Sequence, residues 1–83
     1  MPHSRIRRYL RHGSLPQLAL FEAAARLASI TRAADELHIT QSAASIQLKK
    51  LAGVVGMPLF EHVGRGVRLT SAGLCLASAC REL

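Results

Sequence analysis

The sequence predicts a mainly α fold, a winged helix-turn-helix with a three-helix core, a two-stranded wing and the start of a further C-terminal helix. Three observations carry it. Two helical segments meet across a link of only three or four residues ending at Thr40; two short apolar strands flank the turn Gly64-Arg65-Gly66; and good N-caps, Ser29, Thr40 and Thr70, head three of the helical segments. Composition agrees: of 83 residues 49% are hydrophobic, 4% aromatic and 19% charged, an alanine-rich chain that folds rather than a disordered one. That length makes one domain with a thin core, open to completion by a partner and too small for a large catalytic cleft.

Helix one opens at Leu15-Pro16, where proline is tolerated in the first turn, and continues through Leu18, Phe21, Ala25 and Ala28 at helical spacing. A second, short helix runs from the cap Ser29 through Leu37, with Ala33, Ala34 and Leu37 on the buried side and Arg32, Asp35 and Glu36 on the wet one. After His38-Ile39, Thr40 caps a third helix from Gln41 to about Val54. Helices joined so tightly cross steeply. In helix three, Ala44, Leu48, Leu51 and Val55 fall within about 60° of one another, while Ser42, Ser45, Ile46, Lys49 and Gly53 face the opposite way. Gly56-Met57-Pro58 ends that helix. Strands at Leu59–Val63 and Val67–Leu69 then form a hairpin with Arg65 at its tip and Arg68 on an outer face, anchored to the helices by Leu59, Phe60, Val67 and Leu69. Thr70 caps a last helix from Ser71, apolar along Leu74 and Ala77 and still running at Leu83, which reads as a fragment of a longer helix.

Eleven Lys and Arg against five Asp and Glu give a net charge of +6, a balance that points to a polyanionic partner. Arg5, Arg7, Arg8 and Arg11 contribute four of those cations without an acid among them, so the first fourteen residues form a basic arm. Either the arm makes phosphate contacts blind to sequence or it is a frayed, solubilising tail. Glu22, Arg26, Asp35, Lys49 and Glu61 interrupt every candidate membrane span, and the start lacks the apolar block of a secretory signal. A cytoplasmic protein is expected. Cys75 and Cys80 lie about 140° apart on a helix and read as small hydrophobes in a reducing compartment.

The residues that carry this order also carry a resemblance. Leu15-Pro16-Gln17-Leu18 with Phe21, the stretch Ser29–Ser45, Leu48-Lys49-Lys50-Leu51, Gly56–Glu61 and Arg68–Gly73 together resemble the N-terminal winged helix-turn-helix domain of LysR-type transcriptional regulators. The resemblance covers residues 15–73 and implies a bacterial, sequence-specific double-stranded DNA-binding domain that works as a homodimer through a long C-terminal linker helix. It divides the chain into the arm (1–14), the DNA-binding domain (15–70) and the start of the linker helix (71–83). It also implies a C-terminal effector domain, absent from this chain, and contacts with RNA polymerase in the full-length regulator. Val54-Val55-Gly56-Met57 with Leu59-Phe60-Glu61 is similar to the branch that regulates Calvin-cycle carbon-fixation genes.

Helix three should then lie in the major groove, with Gln41 and Ser45 at base edges; Gln41 otherwise caps its own backbone. Ser42 and Ala43 permit close approach, and Thr31, Arg32, Lys49 and Lys50 grip phosphates unless they are merely solvated. Arg65 is placed to enter the adjacent minor groove, with Arg68 beside it; the plain alternative for Arg65 is a surface arginine. Five departures from the family pattern stand out. Ser42 replaces a frequent Pro, Ala52 a frequent Glu and Ala28 a frequent Gly at the end of helix one. His62 replaces a frequent Arg beside the wing, which weakens a phosphate contact unless the imidazole is protonated. Ile46 replaces a frequent Arg, leaving an apolar contact, for instance to a thymine methyl, or an exposed side chain with no role.

Three other function classes fit the residues less well. An enzyme lacks its parts: no acid and base pair, no glycine phosphate loop and no metal-spaced cluster, with His3, His12, His38 and His62 scattered, so neither cofactor nor metal is expected. A protein-docking winged helix remains the alternative, its basic arm engaging an acidic surface. An RNA binder would need an aromatic platform, whereas Phe21 and Phe60 read as buried and Tyr9 stands alone.

Overall fold

The structure, a computed structural model, describes residues 15–81. The basic arm and the last two residues of the C-terminal segment lie outside that range. In chain order the described residues form α1 (Leu15–Leu27), α2 (Ile30–Glu36), α3 (Gln41–Val55), β1 (Phe60–Val63), β2 (Gly66–Leu69) and α4 (Ser71–Arg81). The fold is therefore the mainly helical, winged arrangement that the caps and turns imply.

Each helix boundary follows from local chemistry. The Ser29 hydroxyl accepts from the Arg32 N–H at 3.1 Å and starts α2; the Thr40 hydroxyl accepts from the Ala43 N–H at 3.1 Å and starts α3. α1 ends on Ala28, whose φ of 52° is the left-handed conformation in which the Ser29 N–H closes back on the Ala24 carbonyl. A glycine would adopt it freely, whereas alanine does so at a cost of about 1 kcal/mol. α2 ends the same way: His38 takes φ 58° and the Ile39 N–H reaches the Ala34 carbonyl. Two such tight stops, one before and one after a seven-residue helix, turn the chain sharply on either side of α2. Gly56, at φ 86°, ends α3.

α1 presents a different face from the expected one. Leu20, Phe21, Ala23 and Ala24 are buried, Leu18 and Ala25 are only partly covered, and Ala28 is exposed. The run Ala23-Ala24-Ala25 is apolar all round, so sequence spacing alone does not choose the stripe. In α4, likewise, Ala72 and Leu76 are buried while Leu74 is 57% exposed. The core joins these residues to Ala33 and Ala34 of α2 and to Ala44, Leu48, Leu51 and Val55 of α3. Alanines at the helix contacts allow close packing, and Leu20, Phe21, Leu51 and Leu76 supply the bulk.

The wing is a two-stranded antiparallel ribbon pairing Phe60 with Leu69, Glu61 with Arg68, His62 with Val67 and Val63 with Gly66. Leu59 lies just before the strand rather than in it; it is buried, and its carbonyl accepts from the Thr70 N–H at 3.0 Å. Gly64, at φ 59°, takes the first position of the two-residue turn. The Val67 N–H donates to the Ala28 carbonyl at 3.0 Å, and a Cβ on Gly66 would stand 2.4 Å from that same oxygen. The bare Gly66 backbone thus lets the wing press against the end of α1. Phe21 and Phe60 add a tilted ring contact, centroids 5.5 Å apart. Thr70 ties the base of the wing to α4, donating to the Pro58 carbonyl at 2.6 Å while accepting from the Gly73 N–H.

Candidate nucleic-acid interface

Burying one stripe of α3 leaves the other bare. Gln41, Ser42, Ile46, Lys49, Lys50 and Gly53 are exposed along it, and no other part of the described chain covers them. Ser45 is rolled toward the wing. With Lys49 of α3 and His62 of β1 it lines a shallow groove floored by Ile30, Leu48, Leu59 and Phe60, which makes the recognition flank continuous with the wing. Ala43 faces the other way, into an apolar groove with Pro16, Ala19, Leu37 and Ile39. It therefore sits at the edge of the flank, where its small side chain keeps α1 and α3 close.

A residue pair with no local sequence signal holds α3 in place. Gln17 Nε2 donates to Gln47 Oε1 at 2.8 Å, linking the first turn of α1 to the middle of α3. Nothing short-range signals this contact between positions thirty residues apart.

The electrostatics sort the cations into two groups. Arg26 binds Glu22, one turn earlier on α1, at 2.9 Å and also Glu36 of α2. Hydrogen bonding first to Glu36 and then to Glu22 raises the Arg26 pKa still further above its already high ordinary value. Arg68 is paired across the ribbon with Glu61, Nε to Oε1 at 2.5 Å. Arg26 and Arg68 therefore absorb three of the described acids, leaving Asp35. Among the described residues Arg32, Lys49, Lys50 and Arg65 form no ion pair. Arg32 and Thr31 are exposed on α2, Lys49 and Lys50 on α3, and Arg65 at the wing tip. All twelve sequence-predicted positions fall on α2, α3 or the wing, with Arg68 the one whose charge is already engaged. The turn Gly64-Arg65-Gly66 that the sequence suggests would set Glu61 opposite Leu69; Gly66 instead belongs to β2, and the two-residue turn at 64 and 65 places Glu61 opposite Arg68.

Such a surface offers an exposed helix flank of small polar, apolar and cationic groups, one flanking cationic tip and a shallow groove between them. Its shape suits a polyanion with a groove. No helix among the described residues is long and apolar enough to cross a membrane.

Comparison with known proteins places these features in a wider set. Residues 15–74 match the family described as bacterial regulatory helix-turn-helix protein, lysR family. Over 74 residues the chain is 50% identical to the RuBisCO operon transcriptional regulator of Acidithiobacillus ferrooxidans, covering 89% of this chain and 24% of that protein. It is 52% identical over 69 residues to the HTH-type transcriptional regulator TrpI of Pseudomonas aeruginosa, covering 83% of this chain and 23% of that one. The chain thus spans less than a quarter of the length of these relatives. Among solved structures it superposes on the CbnR DNA-binding domain in its DNA complex with a TM-score of 0.75 at 34% identity, over 83% of this chain and 80% of that one.

Proposed function

Because the chain belongs to the LysR family of bacterial regulatory helix-turn-helix proteins, we propose that residues 15–70 read double-stranded DNA, with α3 in the major groove and the wing tip at the adjacent minor groove. The observation that carries this reading is the flank of α3 from Gln41 to Gly53, exposed and uncovered while the opposite stripe is sealed in the core. Likeness to a DNA-binding domain solved on DNA supports it.

In this reading Gln41 and Ser45 meet base edges, Ser42 keeps the approach close while Ala43 packs toward α1, and Thr31, Arg32, Lys49 and Lys50 hold phosphates. His62 closes the groove beside Ser45, and Arg65 takes the narrow groove. Residues 1–14 serve as a sequence-blind phosphate arm, and the helix from Ser71 begins the linker through which two copies pair on a two-fold site. A single α3 reads only a few base pairs, so pairing supplies the length of the operator.

For the whole regulator we propose a cytoplasmic activator or repressor that positions RNA polymerase. The carbon-fixation branch is supported by the Acidithiobacillus relative, at 50% identity; TrpI is 52% identical over a shorter stretch, so operator selection is the deciding measurement.

The test is a titration of the 83-residue chain against duplexes selected from random sequence and against scrambled controls, from 50 to 200 mM salt. Binding that prefers the selected duplex and weakens steeply with salt is expected. Equal, salt-insensitive binding to all duplexes, or none, would favour a protein-docking module.

A further inference from the structure

Ile46 stands in the middle of the bare flank of α3 and is 54% exposed. Its neighbours on that stripe are Ser42, one turn before, and Gly53, two turns after, all within about 40° of one another around the helix axis. Ser42 is short, and a Cβ built on Gly53 meets nothing within 4 Å. Ile46 is therefore the tallest apolar group on a stripe otherwise made of small residues, with Lys49 and Lys50 a turn further along on either side. It lies about 7.5 Å from the start of α3, inside the part of a recognition helix that enters a groove about 8.5 Å deep.

From this placement we infer that Ile46 is a specificity-determining residue that reads the C5-methyl group of thymine, an inference that rests on the DNA-binding reading above. An isoleucine side chain has neither donor nor acceptor. Facing guanine, cytosine or adenine in the major groove it covers polar edges and returns nothing, whereas thymine alone presents a methyl group there. β-Branching holds its χ1 in one rotamer on a helix, so the contact costs little ordering. Lys49 and Lys50 seat the helix on the phosphates and fix how deep the side chain reaches.

The experiment is a cycle between protein and DNA. Each thymidine of the selected duplex is replaced in turn by deoxyuridine, which keeps every hydrogen-bonding group and removes only the methyl. The wild-type chain should lose affinity about fourfold at one position per half-site, the value of one buried methyl contact. Ile46→Ala should lose a similar factor on the thymidine duplex and nothing more on the uracil duplex. Because one arm alters only the DNA, it stands even where the variant folds poorly. Tolerance of deoxyuridine at every position by the wild-type chain, or full retention of the uracil effect in Ile46→Ala, overturns the inference while leaving DNA binding intact. Failure of the wild-type chain to prefer any duplex overturns the DNA-binding reading instead.

Discussion

In the wing, Arg68 and Glu61 stand directly opposite each other across the two strands, and the guanidinium Nε donates to Oε1 of the carboxylate at 2.5 Å. Both side chains are largely exposed, 69% and 49%, so the pair itself contributes at most about 1 kcal/mol to stability. Its consequence is for binding: one of the two wing arginines is already neutralised, and Arg65 at the tip is not.

Arg65→Ala should therefore weaken binding, most on duplexes with a narrow A/T minor groove, and lower the slope of log affinity against log salt by about 0.9, as one fewer cation displaces counterions. Arg68→Gln should change the slope by less, and Glu61→Gln should raise affinity for scrambled DNA by freeing Arg68. Fluorescence anisotropy across a salt series measures all three. Equal slopes for the Arg65 and Arg68 variants would mean that the carboxylate releases Arg68 on contact with DNA.

Gly66 touches the end of α1 so closely that no side chain fits between it and the Ala28 carbonyl. Gly66→Ala should push the wing away, break the Val67 to Ala28 hydrogen bond and destabilise the fold by about 2 kcal/mol, on the order of 10 °C in Tm. A calorimetric Tm within a degree or two of wild type would show that the wing hinges freely there.

Removal of residues 1–12, with their four arginines, should weaken binding to specific and scrambled duplexes by the same factor and reduce the salt slope by up to about 3.6. Competition titrations check this. A changed ranking of duplexes would make the arm a reader of sequence.

Leu74 is the large apolar residue that α4 turns outward. If the helix begins a pairing surface, Leu74→Lys should shift the chain toward monomer in sedimentation without lowering its Tm. An unchanged association state would place the pairing surface elsewhere.

Much of this arrangement is legible in the sequence because its signals are local. Ser29, Thr40 and Thr70 each cap a helix through their own side chain, and Gly64 marks the hairpin turn, although the strand register shifts by one because Gly66 joins β2. Helical periodicity identified the buried stripe of α3 because Leu48, Leu51 and Val55 contrast sharply with the serines and lysines between them. It failed where contrast was absent. In α1 three successive alanines hid which face turns inward, and in α4 Leu74 and Leu76 compete for opposite faces until packing against the wing decides. Ser45 turned toward the wing, and Ala43 toward α1, because neighbours far along the chain stand there. The same holds for Gln17 and Gln47. Alanine at position 28 still adopts the left-handed stop that glycine would take freely, held by its carbonyl's bond to the wing.

The most direct test of the account is a map of backbone amide chemical-shift changes in the 83-residue chain as its selected duplex is added. The changes should concentrate on the exposed positions of residues 41–53 and on the wing from His62 to Arg68, with the interior residues of the other helices, Leu20 and Leu76 among them, moving little. Changes centred on the outer faces of α1 and α4, with the Gln41 to Gly53 flank silent, would contradict it.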